Sequence, residues 1–270
     1  TDVSSLLISS GAAVNQARTN DGATPLYIAA QKGYAEVVSQ LIDASAAVNQ
    51  AKTDDGATPL YVAAQKGHVE VVSLLIGGGA AVNQATKTGG ITPLCIAAHG
   101  GHAKVVRLLI ANGAAVDQEN CNDRAPLYAA AEEGHTKVVR LLIDGGATVN
   151  QVSTGSGTTP LYVAAFRNHA EVVSLLIGGG AAVNQATTGY GKTPLYIAAQ
   201  KGHTEVANLL IGGGAAVNAT MENGATPLFI AAQEGHTNIV TLLVEHGADT
   251  DQCALRAKWS LYLLRHGQGT

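Results

Sequence analysis

Nine histidines are the residues of this chain best suited to bind a metal ion or move a proton. Six of them recur at intervals of 33 or 34 residues: His68, His102, His135, His169, His203 and His236. Residues that recur at this interval form a row with one histidine per structural unit, so they do not converge on a single ion. His99 and His102 form a His-x-x-His pair, but no third ligand accompanies it, and zinc sites take at least three protein ligands. We therefore expect no metal site and interpret the six histidines as turn residues that begin a helix.

Three glycine runs raise the question of a phosphate cradle: Gly77-Gly78-Gly79, Gly178-Gly179-Gly180 and Gly212-Gly213-Gly214. Each run follows a stretch with a helical pattern. The carboxyl end of a helix dipole is negative, whereas phosphate cradles precede a helix N-terminus. The chain contains neither a Gly-x-Ser-x-Gly nucleophile motif nor a P-loop. We expect no cofactor, and we expect that the chain is not an enzyme.

These residues all lie in a repeat that recurs along the chain. The seven prolines, at positions 25, 59, 93, 126, 160, 194 and 227, are separated by 33 or 34 residues. In the copy that begins at Thr58, the threonine can cap a helix that starts at Pro59, and Gly67 can end it with a left-handed backbone. The pattern predicts a second helix over 69–76, and then a polar loop to the next threonine-proline pair. A period of this size predicts a stack of small units rather than one closed globule.

The repeat resembles the ankyrin repeat family, and the resemblance covers nearly all of the chain. The shared motifs are Thr-Pro-Leu, an Ala-Ala pair, Gly-His, a Val-Val-x-Leu-Leu helix and Gly-Ala-x-Val-Asn, as in residues 58–83. The resemblance implies an all-α ankyrin-repeat solenoid of stacked helix-turn-helix units with protruding hairpin loops. Several positions depart from the family pattern: Tyr27, Tyr61, Cys95, Tyr128, Tyr162, Tyr196 and Phe229 after Thr-Pro-Leu, with Tyr34, Ala125 and Asn168 elsewhere. Of these, Ala125 predicts a weaker helix cap.

We expect residues 1–270 to form a single ankyrin-repeat domain. Residues 1–21 are interpreted as a partial N-terminal repeat, 22–251 as seven full repeats, and 252–270 as a degenerate eighth repeat or C-terminal cap around Trp259. The loop from its asparagine or aspartate to the next proline spans 10 residues in five repeats and 9 residues in two. The extra residue is expected to lengthen the loop and to leave the helices unchanged.

The bulk composition favours an intracellular, non-membrane protein. A net charge of −4, from 16 basic and 20 acidic residues, argues against a nucleic-acid partner, which would require a basic face. Cys95, Cys121 and Cys253 form no paired spacing, so we expect a reduced, cytoplasmic location, with Cys95 as a packing residue. No apolar run approaches the roughly 20 residues of a membrane helix, and membrane insertion is not expected.

The ankyrin resemblance implies that a partner contacts the loop tips and the concave face of the first helices. The positions that vary there in the middle of the chain are Ile91, His99, Arg124, Glu132, Glu133, Phe166, Arg167, Tyr190, Lys192 and Lys201. We expect these residues to form one continuous patch. Phe166 is the most informative, because it replaces a glutamine at a position expected to be exposed, and aromatic and arginine side chains are common binding anchors.

The sequence therefore favours a non-catalytic module that binds a protein or peptide partner through this concave face and these loops. Near-identical units, such as 70–86 and 171–187, keep open a structural spacer or a self-assembling array, including self-association through truncated ends. A third alternative is a targeting fragment of a larger enzyme whose catalytic domain is absent. The identity of the partner stays open.

Overall fold

The computed structural model describes residues 10–250, apart from residues 121 and 123. The predictions for Cys121, Cys253, Trp259, the first nine residues and the segment 252–270 lie outside the described residues. The chain divides into two compact units, Thr1–Thr148 and Val149–Thr270.

The first unit contains eight helices among its described residues: α1 (Pro25–Lys32), α2 (Ala35–Asp43), α3 (Pro59–Lys66), α4 (Val69–Gly77), α5 (Pro93–His99), α6 (Ala103–Ala111), α7 (Pro126–Glu132) and α8 (Thr136–Asp144). Each odd-numbered helix packs on the even-numbered helix that follows it. The odd-numbered helices also pack side by side in chain order, and so do the even-numbered ones. The unit therefore has two layers, a first-helix face (α1, α3, α5, α7) and a second-helix face (α2, α4, α6, α8).

The second unit repeats this arrangement with six helices in its described part: α9 (Pro160–Phe166), α10 (Ala170–Gly178), α11 (Pro194–Lys201), α12 (Thr204–Gly212), α13 (Pro227–Glu234) and α14 (Thr237–Glu245). Here α9, α11 and α13 form the first-helix face, and α10, α12 and α14 form the second-helix face. No β-strand occurs in residues 10–250 where the structure describes them. The fold class is an all-α repeat solenoid, as the sequence predicted.

The ends of the first helices follow from their capping residues. The Thr58 hydroxyl accepts a hydrogen bond from the backbone N–H of Tyr61 at 3.1 Å, and Pro59 occupies the first helical position. Gly67 ends α3 with φ of 74°, a conformation that costs a residue with a Cβ atom far more than glycine. In α7 no side chain caps the helix at Ala125. The prediction of a weaker cap at Ala125 is confirmed.

The core is made of small and aliphatic side chains. In the second repeat, Leu60, Ala63 and Ala64 of α3 are at most 1% exposed, and Val72 and Leu75 of α4 are fully buried. The alanine pair lets neighbouring helices approach closely. Burial of a leucine such as Leu60 stabilises the fold by about 1.5–3 kcal/mol.

The recurring histidines connect successive repeats. In the first unit the Nε2–H group of His68 donates to the carbonyl oxygen of Gln31 at 3.2 Å, and that of His102 donates to Gln65 at 2.9 Å. A Cβ atom on Gly67 would lie 2.6 Å from the His102 ring, so this position is restricted to glycine by space as well as by backbone conformation. The interpretation of these histidines as residues that begin a helix is confirmed, since His68 and His102 are the N-caps of α4 and α6.

A second row of hydrogen bonds runs through the loop asparagines. The Asn49 carboxamide accepts from the N–H of Ala81 at 2.7 Å and donates to the carbonyl of Gly79 at 3.0 Å. Where an aspartate replaces the asparagine at position 117, Asp117 accepts from both the N–H and the hydroxyl of Thr148, at 2.9 and 2.7 Å. The carboxylate cannot donate as the amide does, and the threonine supplies a second donor in its place.

One backbone hydrogen bond closes each loop at its base. In the repeats with long loops this bond joins residues five apart, as from Lys52 N–H to Ala57 carbonyl at 2.9 Å. In the two short loops it joins residues four apart, from Asn120 to Arg124 and from Met221 to Ala225. The first helix begins at its proline after the long loops and after the short ones. The prediction that the extra residue lengthens only the loop is confirmed.

Candidate partner-binding face

In the first unit, Arg124 is fixed across the first-helix face by two contacts. Its guanidinium Nη1 donates to the Glu132 carboxylate at 2.7 Å and its central carbon lies 5.1 Å from the centre of the Tyr128 ring. Arg124 precedes α7 and Glu132 is its last residue, so the arginine side chain lies along the whole helix. The structure therefore brings together two residues that the sequence predicted as binding residues.

His99 and Glu133 form a second pair on the same face. Their side chains are 55% and 40% exposed, and the His99 Nδ1 lies 3.8 Å from the Glu133 carboxylate. Ile91 is half-buried, and its backbone N–H donates to the Thr86 hydroxyl at 3.0 Å, which closes the loop before α5. His99 and Glu133 are thus accessible, whereas Ile91 mainly supports its loop.

In the second unit, Phe166 is the exposed aromatic side chain that the sequence predicted. The residue is 37% exposed, and two cations lie over its ring, with the Arg167 guanidinium carbon 5.7 Å and the Lys201 Nζ 5.1 Å from the ring centre. The corresponding residues of the other six repeats are glutamine, histidine or glutamate. An aromatic ring between two cations offers both apolar area and positive charge at one point.

Lys192, at the same repeat position in the second unit, repeats the geometry of Arg124 two repeats later. Its Nζ donates to the Gln200 carboxamide oxygen at 3.3 Å and lies 5.7 Å from the centre of the Tyr196 ring. Tyr190 lies in the loop before α11 and is 69% exposed. Its carbonyl oxygen accepts from the N–H of Glu222 in the next loop at 3.4 Å. The next loop thus supports the backbone of Tyr190 while the phenol ring stays accessible.

His203 binds the backbone at the C-terminal end of α9. Its Nε2–H donates to the carbonyl oxygen of Phe166 at 3.1 Å. Partial burial lowers the pKa of His203 from its ordinary value, and this hydrogen bond opposes the shift only in part. The shift favours the neutral ring at neutral pH, so the charges nearest to Phe166 are those of Arg167 and Lys201.

The charges of the second unit are divided between its two faces. Within residues 149–250, the three basic side chains Arg167, Lys192 and Lys201 all belong to the loops and ends of the first helices. The charged side chains of the second helices and of the loop after them are all acidic there: Glu171, Glu205, Glu245 and Asp249. Two acids, Glu222 and Glu234, also lie on the side of the loops and first helices. With three cations against two acids, the first-helix face is the more positive side of this unit.

Lys52 in the first unit has a role that its sequence context did not reveal. Its Nζ lies 3.0 Å from the Asp54 carboxylate, 3.7 Å from Asp55 and 4.0 Å from Asp21, and 5.6 Å from the Tyr27 ring centre. The hydrogen bond to Lys52 lowers the pKa of Asp54, as one to Arg18 lowers the pKa of Asp21. The aspartates of these loops are thus largely paired with cations of the same chain. The sequence shows the aspartates, but it does not show the loop geometry that brings Lys52 close to them.

A shallow groove of about 350 Å³ lies on the second-helix face of the second unit, lined by Ser174, Ile177, Asn208, Leu209 and His246. None of the predicted partner-binding residues lines it. In the described part of the chain, no three histidine, cysteine or acidic side chains are grouped as metal ligands would be. No helix in that part has the length and apolar character needed to cross a membrane.

Comparison with known proteins agrees with this architecture. A family model for ankyrin repeats in three copies matches residues 1–86, 78–153 and 149–221, and a single ankyrin repeat model matches residues 223–254. The chain therefore belongs to the ankyrin repeat family. Among solved structures, the human ASB11 ankyrin repeat domain superposes with a TM-score of 0.73 at 29% sequence identity, over 81% of this chain and 97% of that domain. No curated protein sequence matched the chain.

Family membership indicates only a broad role for the chain. Ankyrin repeats generally act as protein–protein interaction modules and are typically non-catalytic. Their stacked helices present surface side chains whose variation leaves the buried Leu, Val and Ala core unchanged.

Proposed function

We propose that this chain is a non-catalytic module that binds a protein or peptide partner through its first-helix faces and the loops beside them. The observation that carries the proposal is Phe166, an aromatic side chain exposed between Arg167 and Lys201. Aromatic and arginine side chains are the usual anchors of protein interfaces. The other repeats place a polar residue at this position, so the core does not require a phenylalanine there.

The charges beside Phe166 indicate the chemistry of the partner segment. Arg167, Lys192 and Lys201 lie on one face of the second unit, and the opposite helices are acidic. A segment with an apolar side chain flanked by carboxylates would complement this face, since the apolar group can cover the ring and the carboxylates can pair with the cations. Tyr190 adds a further exposed ring in the adjoining loop.

In the first unit, His99, Arg124, Glu132 and Glu133 would supply polar contacts of both signs. Arg124 and Glu132 already satisfy each other at 2.7 Å, which fixes their side chains before a partner arrives. A partner would therefore contact a preordered surface there, with a small loss of side-chain entropy. We assign Ile91 a supporting role in its loop.

The experiment is a capture from host lysate with the immobilised wild-type chain beside the Phe166→Ala/Arg167→Ala variant, quantified by mass spectrometry. We expect a captured protein whose yield falls at least tenfold with the variant. The matched control is Gln65→Ala/Lys66→Ala, which removes the side chains at the same two positions of the second repeat. Circular dichroism and the unfolding midpoint establish that each variant is folded.

Equal capture by the wild type and the Phe166→Ala/Arg167→Ala variant would contradict this assignment. An equal loss with the Gln65→Ala/Lys66→Ala control would also contradict it, because the effect would then belong to the first-helix position in general. Competition with a synthetic peptide from the captured protein, carrying carboxylates beside an apolar residue, would test the expected chemistry directly.

A further inference from the structure

The second-helix face of the first unit carries a charge pattern that the proposed function does not use. At the same position of four successive second helices lie Glu36, Glu70, Lys104 and Lys137. All four residues are exposed, and none of them forms an ion pair with any described residue. The charge at this position is therefore negative on α2 and α4 and positive on α6 and α8.

The next charged position on this face strengthens the pattern. One turn further along the helices lie Ser39, Ser73, Arg107 and Arg140, so the basic half has four cations. The next position has the half-buried side chains of Leu74, Leu108 and Leu141 in α4, α6 and α8. Residues three and four apart share a helix face, so charge and partly exposed leucine lie side by side. The remaining acids of this face, Asp43 and Asp144, lie at the ends of α2 and α8.

A pattern with this order is complementary to itself when one copy is reversed. Two copies that meet through the same face are related by a two-fold axis in the plane of contact. An axis parallel to the stack and running along this row would place each charge against its own equivalent, lysine on lysine. An axis parallel to the helices reverses the order of the repeats, and then α6 faces α4 and α8 faces α2. Of these two arrangements, only the second places Lys104 and Lys137 opposite glutamates. It also places Asp144 opposite Asp43 at the helix ends, so the two glutamate–lysine pairs must outweigh one pair of like charges.

We propose that this face binds a second copy of the chain in that reversed arrangement. Lys104 then pairs with Glu70 of the second copy and Lys137 pairs with Glu36, and the two-fold axis makes each pair twice. Successive second helices lie at the usual interaxial distance of about 8–10 Å in both copies, so the spacing of the lysines matches the spacing of the glutamates. The leucine row supplies the apolar contact between the charged rows.

The charges set the specificity of this contact more than its strength. Exposed ion pairs add little free energy and are screened by salt, whereas opposed charges of the right order exclude the other two-fold arrangement. The association is therefore weak and sensitive to ionic strength. It is independent of Phe166 and Arg167, which belong to the first-helix face of the second unit.

The experiment is sedimentation of the full chain at about 0.01 M and about 1 M NaCl, where the Debye length is about 30 Å and about 3 Å. We expect a monomer–dimer equilibrium at low salt that shifts to monomer at high salt. Lys104→Glu/Lys137→Glu makes this row of four residues wholly acidic, and Glu36→Lys/Glu70→Lys makes it wholly basic. Each double variant alone is expected to lose the dimer.

An equimolar mixture of the two double variants is expected to regain a dimer, and so is the quadruple variant, which carries the pattern in reverse. The matched control is Glu171→Lys/Glu205→Lys, which changes the net charge equally at the same helix positions outside the first unit and should keep the dimer. Circular dichroism establishes that every variant is folded.

Three outcomes would overturn the proposal: a wild-type monomer at low salt, no dimer in the mixture, or loss of the dimer in the Glu171→Lys/Glu205→Lys control. A monomeric wild type that binds a polyglutamate peptide through Lys104 and Lys137 would show instead that the basic half recognises an acidic partner. Failure of the capture experiment with Phe166→Ala/Arg167→Ala has no bearing on these results.

Discussion

Cys95 shows how a single substitution in a repeat changes the chemistry of a buried position. Five other repeats carry tyrosine there. The smaller thiol is 3% exposed, and its Sγ lies 3.9 Å from the carbonyl oxygen of Arg124. Burial raises the pKa of Cys95 to about 11, because the surrounding protein disfavours the thiolate.

We predict that native Cys95 resists alkylation by iodoacetamide at pH 9. An ordinary cysteine with a pKa of about 8.5 is mostly thiolate at that pH, but the folded chain keeps Cys95 in its neutral form. Because the pKa is higher in the folded state, this thiol also makes the fold less stable as the pH rises past about 8.5. The measurement is mass spectrometry of the Cys95 peptide, with the chain in denaturant as control. Equal rates of modification in the two states would contradict the prediction.

At the scale of single helices, the N-caps of the first helices are alike in all repeats but one. A threonine hydroxyl caps six of the seven first helices in the described residues, and Ala125 leaves α7 without such a bond. Ala125 is buried, and so are the threonines at this position of the other repeats. The site therefore accommodates a threonine, whose hydroxyl would supply the side-chain cap that the other six helices have.

We predict that Ala125→Thr raises the free energy of unfolding by about 1 kcal/mol, the usual contribution of an N-cap hydroxyl. Ala125→Val is the matched control, because valine has nearly the same shape as threonine but no hydroxyl group. The measurement is the midpoint of denaturation by urea for the three chains. A similar gain with valine would show that side-chain packing, and not the cap, produces the effect.

At the scale of the whole molecule, successive repeats contact each other within each of the two units. Within residues 10–148, each first helix packs on the next first helix and each second helix packs on the next second helix. Hydrogen bonds from His68, His102 and Asn49 join the same neighbours. The stability of such a stack is close to a sum over repeats and their contacts, and it does not depend on a closed core.

We predict that the fragment 1–148 folds without the rest of the chain. It keeps eight helices, the rows of histidine and asparagine bonds between them, and the Asp117–Thr148 bonds at its end. Circular dichroism should show helix with a cooperative thermal transition, at a lower midpoint than that of the full chain because fewer repeats are stacked. A fragment without helix would show that residues 149–270 are required for folding.

The sequence by itself determined the features that depend on residues close in the chain. Threonine before proline, glycine at the helix end and aliphatic residues at helical spacing act within one repeat, so Pro59–Lys66 and Val69–Gly77 were predictable to within a residue. The exposure of Phe166 also followed from its position after the Ala-Ala pair.

Only the tertiary structure decided which side chains meet across repeats or across the length of a helix. The sequence identified Arg124, Glu132, His99 and Glu133 as variable surface residues, but not that they form two pairs. It identified the histidines as turn residues, but not the carbonyl oxygens that they bind. These contacts depend on the rotation between stacked repeats and on side-chain conformation, which a local pattern of residue types does not specify.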